Sequence, residues 1–170
     1  MSEEEVPRSA TLRVQVLNRQ RHLHIPEPLL RQAVQAVLAD HGVALAQVNL
    51  LLVDNAAIQQ LNRRFLNHDW PTDCITFPLE SSDHALEGEI VVSAQMACQQ
   101  AAQFQLTPEE ELLLYVIHGA LHLVGYDDAD PQARQEMEVR QRQYLERFRS
   151  RLPRAGASAS AASSVRRDGS

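Results

Sequence analysis

From Thr11 the chain alternates apolar and polar positions, with Leu12, Val14 and Val16 on one side, which is the period of a half-buried strand over residues 11–17. Pro26 and Pro28 then open a helical pattern running to about Asp40, with Leu29, Leu30, Val34, Val37 and Leu38 on one face. His41-Gly42 closes it with a glycine suited to a C-terminal cap. The continuous apolar run at 48–53 predicts a central strand covered on both faces. Asp54 or Asn55 can cap a following helix over about 56–65. Residues 67–73 are turn-forming, 74–77 read as a short strand stopped by Pro78, and 81–88 read as a polar loop. A further strand is predicted at 89–92, and Ser93 can cap a helix reaching about Phe104. Thr107-Pro108-Glu109-Glu110 marks the start of a helix that Gly125 stops, and Pro131 opens a last amphipathic helix to about Arg149. Four short strands among about five helices predict an α+β single domain, a small mixed four-stranded sheet packed by those helices.

Composition narrows the class. With 170 residues and 44% hydrophobic content the chain has the length of one ordinary domain. The expected layout is a flexible N-terminus at 1–10, a folded domain at 11–150 and a disordered Ala/Ser/Arg-containing tail at 154–170. The strongest apolar stretch, 112–125, is too short to cross a bilayer and contains two histidines. The opening residues carry three glutamates rather than a basic and then apolar signal pattern. Two cysteines, Cys74 and Cys98, are too few for a disulfide framework, so a reduced, cytoplasmic protein is expected, without a membrane.

Charge adds a partner class. The formal net charge is −6, and every one of the 16 basic residues is arginine. An acidic total argues against a protein that coats DNA. The arginines concentrate after residue 130, so a local basic surface is compatible with phosphate contacts, although a solvated helix face serves the same sequence.

The sharpest chemical signal is His118-Gly119-Ala120-Leu121-His122, followed by Gly125 and Asp128. Histidines four apart on a helix lie one turn above each other, so His118 and His122 can grip one ion. Gly125 lets the chain turn back, and Asp128 can arrive as a third ligand. Three protein ligands with one open position suit a catalytic zinc. The surrounding apolar sequence makes the helix a buried one, where two imidazoles are costly unless bonded or ligated. The spacing is shared with zinc peptidases, whose general base follows the first histidine; Gly119 occupies that place here.

The segment HGALHLVGYDD, residues 118–128, resembles the HGxLHLxGYDH signature of the YbeY endoribonucleases, bacterial rRNA-maturation factors. The resemblance continues through Leu61-Asn62, through Asp69-Trp70-Pro71-Thr72-Asp73-Cys74-Ile75-Thr76-Phe77-Pro78, and through Glu87-Gly88-Glu89-Ile90-Val91-Val92-Ser93, about residues 10–150 in all. It implies one zinc ion, Zn(2+), and hydrolytic cleavage of single-stranded RNA. It also implies a setting in 16S rRNA 3′-end maturation and ribosome quality control, with the 16S rRNA precursor and the small ribosomal subunit as partners.

Two positions depart from the family pattern. Asp128 stands where the signature ends in histidine, and carboxylate is a competent zinc ligand. Leu66 follows Phe65 where the family carries a functional arginine. Arg63, one turn earlier, is the expected catalytic stand-in. Arg64, Thr72 and Asp73 are expected substrate contacts, and Trp70 can stack on a base. The remaining histidines, His22, His24, His41, His68 and His84, lack ligand spacing and read as structural or surface groups. The alternatives are a metal-stabilised RNA- or ribosome-binding factor of weak catalysis and a metallopeptidase-like hydrolase.

Overall fold

In the computed structural model, which describes residues 10–68, 72–82 and 84–153, the alternating N-terminal segment forms β1 (Thr11–Asn18). The expectations for residues 1–9, Trp70 and the 154–170 tail lie outside the described residues. The helical pattern after Pro26 becomes α1 (Glu27–Asp40), followed by β2 (Leu45–Val53) and α2 (Asn55–Leu66). Asp54 caps α2 by accepting from the Ala57 N–H at 2.8 Å. Next come β3 (Cys74–Ser81), β4 (Ala85–Ser93), α3 (Ala94–Gln100), a 3₁₀ turn (Ala101–Phe104), α4 (Pro108–Leu123) and α5 (Pro131–Phe148).

The strands form one sheet in the order β1-β2-β4-β3. β1 and β4 flank β2 in parallel, with Val14 opposite Val48 and Leu50 opposite Ile90, and β3 runs antiparallel to β4. Alternation along the strands divides the apolar side chains between two layers. Val48, Leu50, Leu52, Ile90 and Val92 meet α1 and α4 in the main core. On the other face, Val53, Ile75 and Val91 meet Ile58 of α2 in a smaller cluster. β2 is therefore covered on both faces only toward its C-terminal end; Leu45 and Gln47 are exposed.

Three boundaries differ from expectation. β3 does not stop at Pro78 but continues to Ser81, because it is an edge strand and its register slips between Pro78 and Glu80. The polar segment 81–88 is largely strand, since β4 begins at Ala85 with Leu86 inward and Gly88 beneath Leu123. The helix expected to reach Phe104 gives way to the 3₁₀ turn after Gln100. At the opposite edge, α1 covers β1: Arg31 Nε donates to the Val14 carbonyl at 3.1 Å and Gln35 Nε2 to the Leu12 carbonyl at 2.9 Å.

α4 carries the histidines and is anchored at both ends. Thr107 and Glu110 form a reciprocal capping box, and Glu110 also pairs with Arg149. Between the ends, Gly119 faces the sheet. A Cβ there would lie 2.5 Å from Ile90 Cγ2 and 3.1 Å from Cys74 Sγ, so only glycine permits this approach of α4 to β4 and β3. After the helix, Gly125 turns with φ +106° and the Tyr126 N–H returns to the Leu121 carbonyl at 3.0 Å.

Candidate active site

One turn apart on α4, His118 and His122 bring their Nε2 atoms to 2.9 Å, with the rings edge to face. The Gln141 Oε1 on α5 sits against His118 Nδ1. A carboxamide oxygen only accepts, so that nitrogen carries the proton and His118 Nε2 keeps its lone pair. Burial, then the neighbouring His118, holds His122 below the usual imidazole value, against the opposing pull of Asp128, the Tyr126 backbone and Asp127. Two imidazoles turned toward each other, one fixed from behind by an amide, fit a divalent ion of zinc's softness.

The third donor is less closely held. Asp128 is exposed, on the loop after Gly125, and shares with His118 the wall of a cavity of about 310 Å³. Among the described residues no group of three His, Cys, Asp or Glu side chains stands close enough to hold an ion. The start of this loop is tied back to α1: His41 Nε2 lies 3.2 Å from the Tyr126 hydroxyl, and His41 Nδ1 is 2.7 Å from the Val37 carbonyl. His41 thus has the structural role expected of it.

Asp73 lines the same cavity, so the structure brings it together with His118 and Asp128. Thr72 stands beside it, its hydroxyl 3.4 Å from Asp73 Oδ1. Arg63 and Arg64 are elsewhere. They line a separate hollow on α2 with Ala57, Gln60 and Leu61, while α2 packs on the sheet face opposite α4. Arg64 lies over Phe65, which meets Phe77 edge to face. Leu66, the last residue of α2, is 46% exposed.

Sequence reasoning passed over Glu111, Tyr115, Arg134 and Gln141 as specific cavity residues. Glu111 and Tyr115 lie seven and three residues before His118, positions that a helical wheel places on or near its face. Glu111 is only 3% exposed, and its Oε2 has no hydrogen-bond partner. Burial raises its pKa, the Tyr115 hydroxyl opposes that, and Asp73 adds to it. Gln141 had no such signal, because its partner is on another helix.

A further cavity, about 610 Å³, lies at the N-terminal ends of β1, β2 and β4 and is lined by none of the expected site residues. Gly119 also settles a point of chemistry. A glutamate at 119 would point into Ile90, not into the cavity, so this helix has no room for the peptidase base.

The family model described as Endoribonuclease YbeY matches residues 15–149. A Rhodopirellula baltica protein named Endoribonuclease YbeY is 46% identical over 110 residues, 64% of this chain and 57% of that protein. A Chlorobaculum parvum protein of the same name is 40% identical over 125 residues, 74% of this chain and 88% of that protein. The solution structure of a Thermotoga maritima protein superposes with a TM-score of 0.58 at 33% identity, covering 79% of this chain and 87% of that one. A match spanning β1 to α5, on a fold shared with a solved relative, leads to one conclusion: the chain belongs to the YbeY endoribonuclease family.

Proposed function

We propose that this protein is a zinc-dependent endoribonuclease that cleaves single-stranded RNA, acting in the cytoplasm on the 16S rRNA precursor in 3′-end maturation and ribosome quality control. Family membership supports the nuclease reading. The observation that carries the metal reading is the pair of facing Nε2 atoms on α4. His118, His122 and Asp128 would hold one ion, with Asp128 moving inward on the loop after Gly125. When bound, zinc supplies Lewis acidity and lowers the pKa of water, as phosphodiester hydrolysis requires.

The chain's own residues do the rest. Gln141 fixes the His118 tautomer, and His41 steadies the start of the Asp128 loop through Tyr126. Asp73 borders the cavity, with Thr72 beside it, and both serve as substrate contacts. Arg63 and Arg64 supply positive charge on α2, in a hollow separate from this cavity, where a passing RNA strand would meet them. Exposed Leu66 favours one second reading, a metal-stabilised RNA-binding factor with little turnover.

Purified protein incubated with single-stranded RNA, with and without chelator, decides between them. Cleavage that stops with chelator and returns with zinc supports the nuclease. RNA binding with no zinc-restorable cleavage supports the binding factor.

A further inference from the structure

Phe65, in the last turn of α2, is 58% exposed, although its ring meets that of Phe77 on β3 edge to face at 5.7 Å between centroids. The Arg64 guanidinium lies over the Phe65 ring, 5.6 Å from its centroid, and makes no ion pair among the described residues. Arg63, one residue earlier, is exposed as well. α2 carries these two cations and no acid. Glu89, opposite Phe77 on β4, is half-buried in the sheet beneath.

Folding explains only part of this arrangement. Arginines in a last turn offset the negative end of the helix dipole. The exposed ring has no such account, since α2 is anchored on the sheet by Ile58, with Ala57 and Leu61 beside it. An exposed aromatic with a guanidinium at its face suits single-stranded nucleic acid, because the ring stacks on a base and the cation meets a phosphate.

The patch is also close to the histidine helix. β3 is an edge strand of the sheet. Along it Cys74 and Thr76 turn toward Gly119, the neighbour of His118, while Ile75 and Phe77 turn toward α2. One strand therefore separates the ring from α4, and an RNA chain can pass round that edge from one to the other. The cavity beside His118 is lined by four carboxylates and one arginine, so a phosphate needs cations outside it to be held.

We infer that Phe65 and Arg64 form a stacking platform for single-stranded RNA, on which one base lies against the Phe65 ring and Arg64 holds an adjoining phosphate, apart from the metal site. The inference deepens the nuclease reading and rests on it: the platform holds the strand while a neighbouring segment reaches the histidines. Every base has a π face, so the platform accepts purines and pyrimidines alike.

The test uses full-length protein and labelled single-stranded RNA octamers that are all A or all U, read by fluorescence anisotropy with and without chelator. The wild type should bind both octamers and keep most of that binding when chelator is present. Phe65→Leu, an apolar change at an exposed position, should weaken both roughly tenfold with its circular dichroism unchanged. Phe65→Trp keeps a ring and should bind at least as tightly as wild type. Arg64→Gln should lower the slope of log affinity against log salt by about one, while Phe65→Leu leaves that slope alone. Wild-type affinity in Phe65→Leu, an equal loss in Phe65→Trp, a slope unchanged by Arg64→Gln, or binding that vanishes with chelator overturns the platform. Zinc-restorable cleavage by the wild type then leaves the nuclease standing. Failure of the wild type to bind or cleave any RNA overturns both together.

Discussion

Gln141 on α5 holds the ring of His118 on α4 from behind, so the donor nitrogen is aimed by a helix far away in sequence. Removing such a support typically lowers metal affinity tenfold to a hundredfold without disturbing the fold. Gln141→Ala should therefore weaken zinc binding by roughly that factor, measured by competition with a chromogenic chelator, while its circular dichroism matches wild type. Gln141→Glu restores an acceptor and should recover most of the affinity. Equal zinc affinity in wild type and Gln141→Ala would show that the contact does not orient a ligand.

The donors themselves are separable. His122→Ala should abolish stoichiometric zinc as read by elemental analysis. Asp128→Ala should weaken zinc binding, whereas Asp128→His should keep it. If Asp128→Ala retains wild-type affinity, the third donor lies elsewhere, and Asp127 is the next residue to replace.

Packing under the histidines gives a stability prediction. Gly119→Ala puts a methyl group 2.5 Å from Ile90 Cγ2 in a full core and should cost about 1–3 kcal/mol, read from urea denaturation. Combining it with Ile90→Ala should cost less than the two changes separately, because the second removes the clash. Additive losses would place the strain at another contact.

Adjacent glutamates on α4 should respond to pH with opposite signs. Burial works against the Glu110 carboxylate, yet the Thr107 backbone N–H and Arg149 together hold it below its ordinary value of 4.5. A lowered folded value means stability present above 4.5 and lost as pH falls through the folded value. Glu110→Gln keeps an acceptor for the capping box but loses the charge, so it should melt below wild type at pH 7 and converge with it in acid. Glu111 is raised above 4.5 by burial, with Asp73 adding to this and Tyr115 opposing, so its contribution is full below that value and lost as pH rises through the folded value. Glu111→Gln should accordingly melt above wild type at pH 7. Melting shifts of the same sign for both variants would contradict these environments.

Arg63 is tested apart from the cavity residues, because it stands in a separate hollow on α2. The stand-in role expected of it holds only if Arg63→Ala lowers the cleavage rate of saturating RNA at least tenfold without altering the melting temperature. An effect confined to affinity, with the salt slope reduced by about one, would make it a phosphate contact only. Leu66→Arg is then the variant expected to raise the rate.

The helices were legible because their caps and apolar faces are written locally. Thr107, Pro108 and Glu110 fix the start of α4, and Gly125 its end, within a few residues of one another. β4 was half hidden because Glu87 and Gly88 look like loop; their meaning comes from outside the segment, Glu87 facing solvent and Gly88 lying under Leu123. Pro78 read as a stop because a sequence does not say which strand lies at a sheet edge. In the site, His118 and His122 share one helix and were visible from spacing. Gln141 and Asp73 join them only through the packing of α5 and β3.

The same edges bear on how the protein behaves in a crowded solution. A sheet that ends in unpaired backbone groups invites another chain to add a strand, the first step of many aggregates. Here an approaching strand would find the Leu12 and Val14 carbonyls of β1 already taken by Gln35 and Arg31. At β3 it would meet an N–H missing at Pro78 and a ladder out of step beyond it. The features that made these strands hard to delimit are those that discourage the sheet from growing beyond its own molecule.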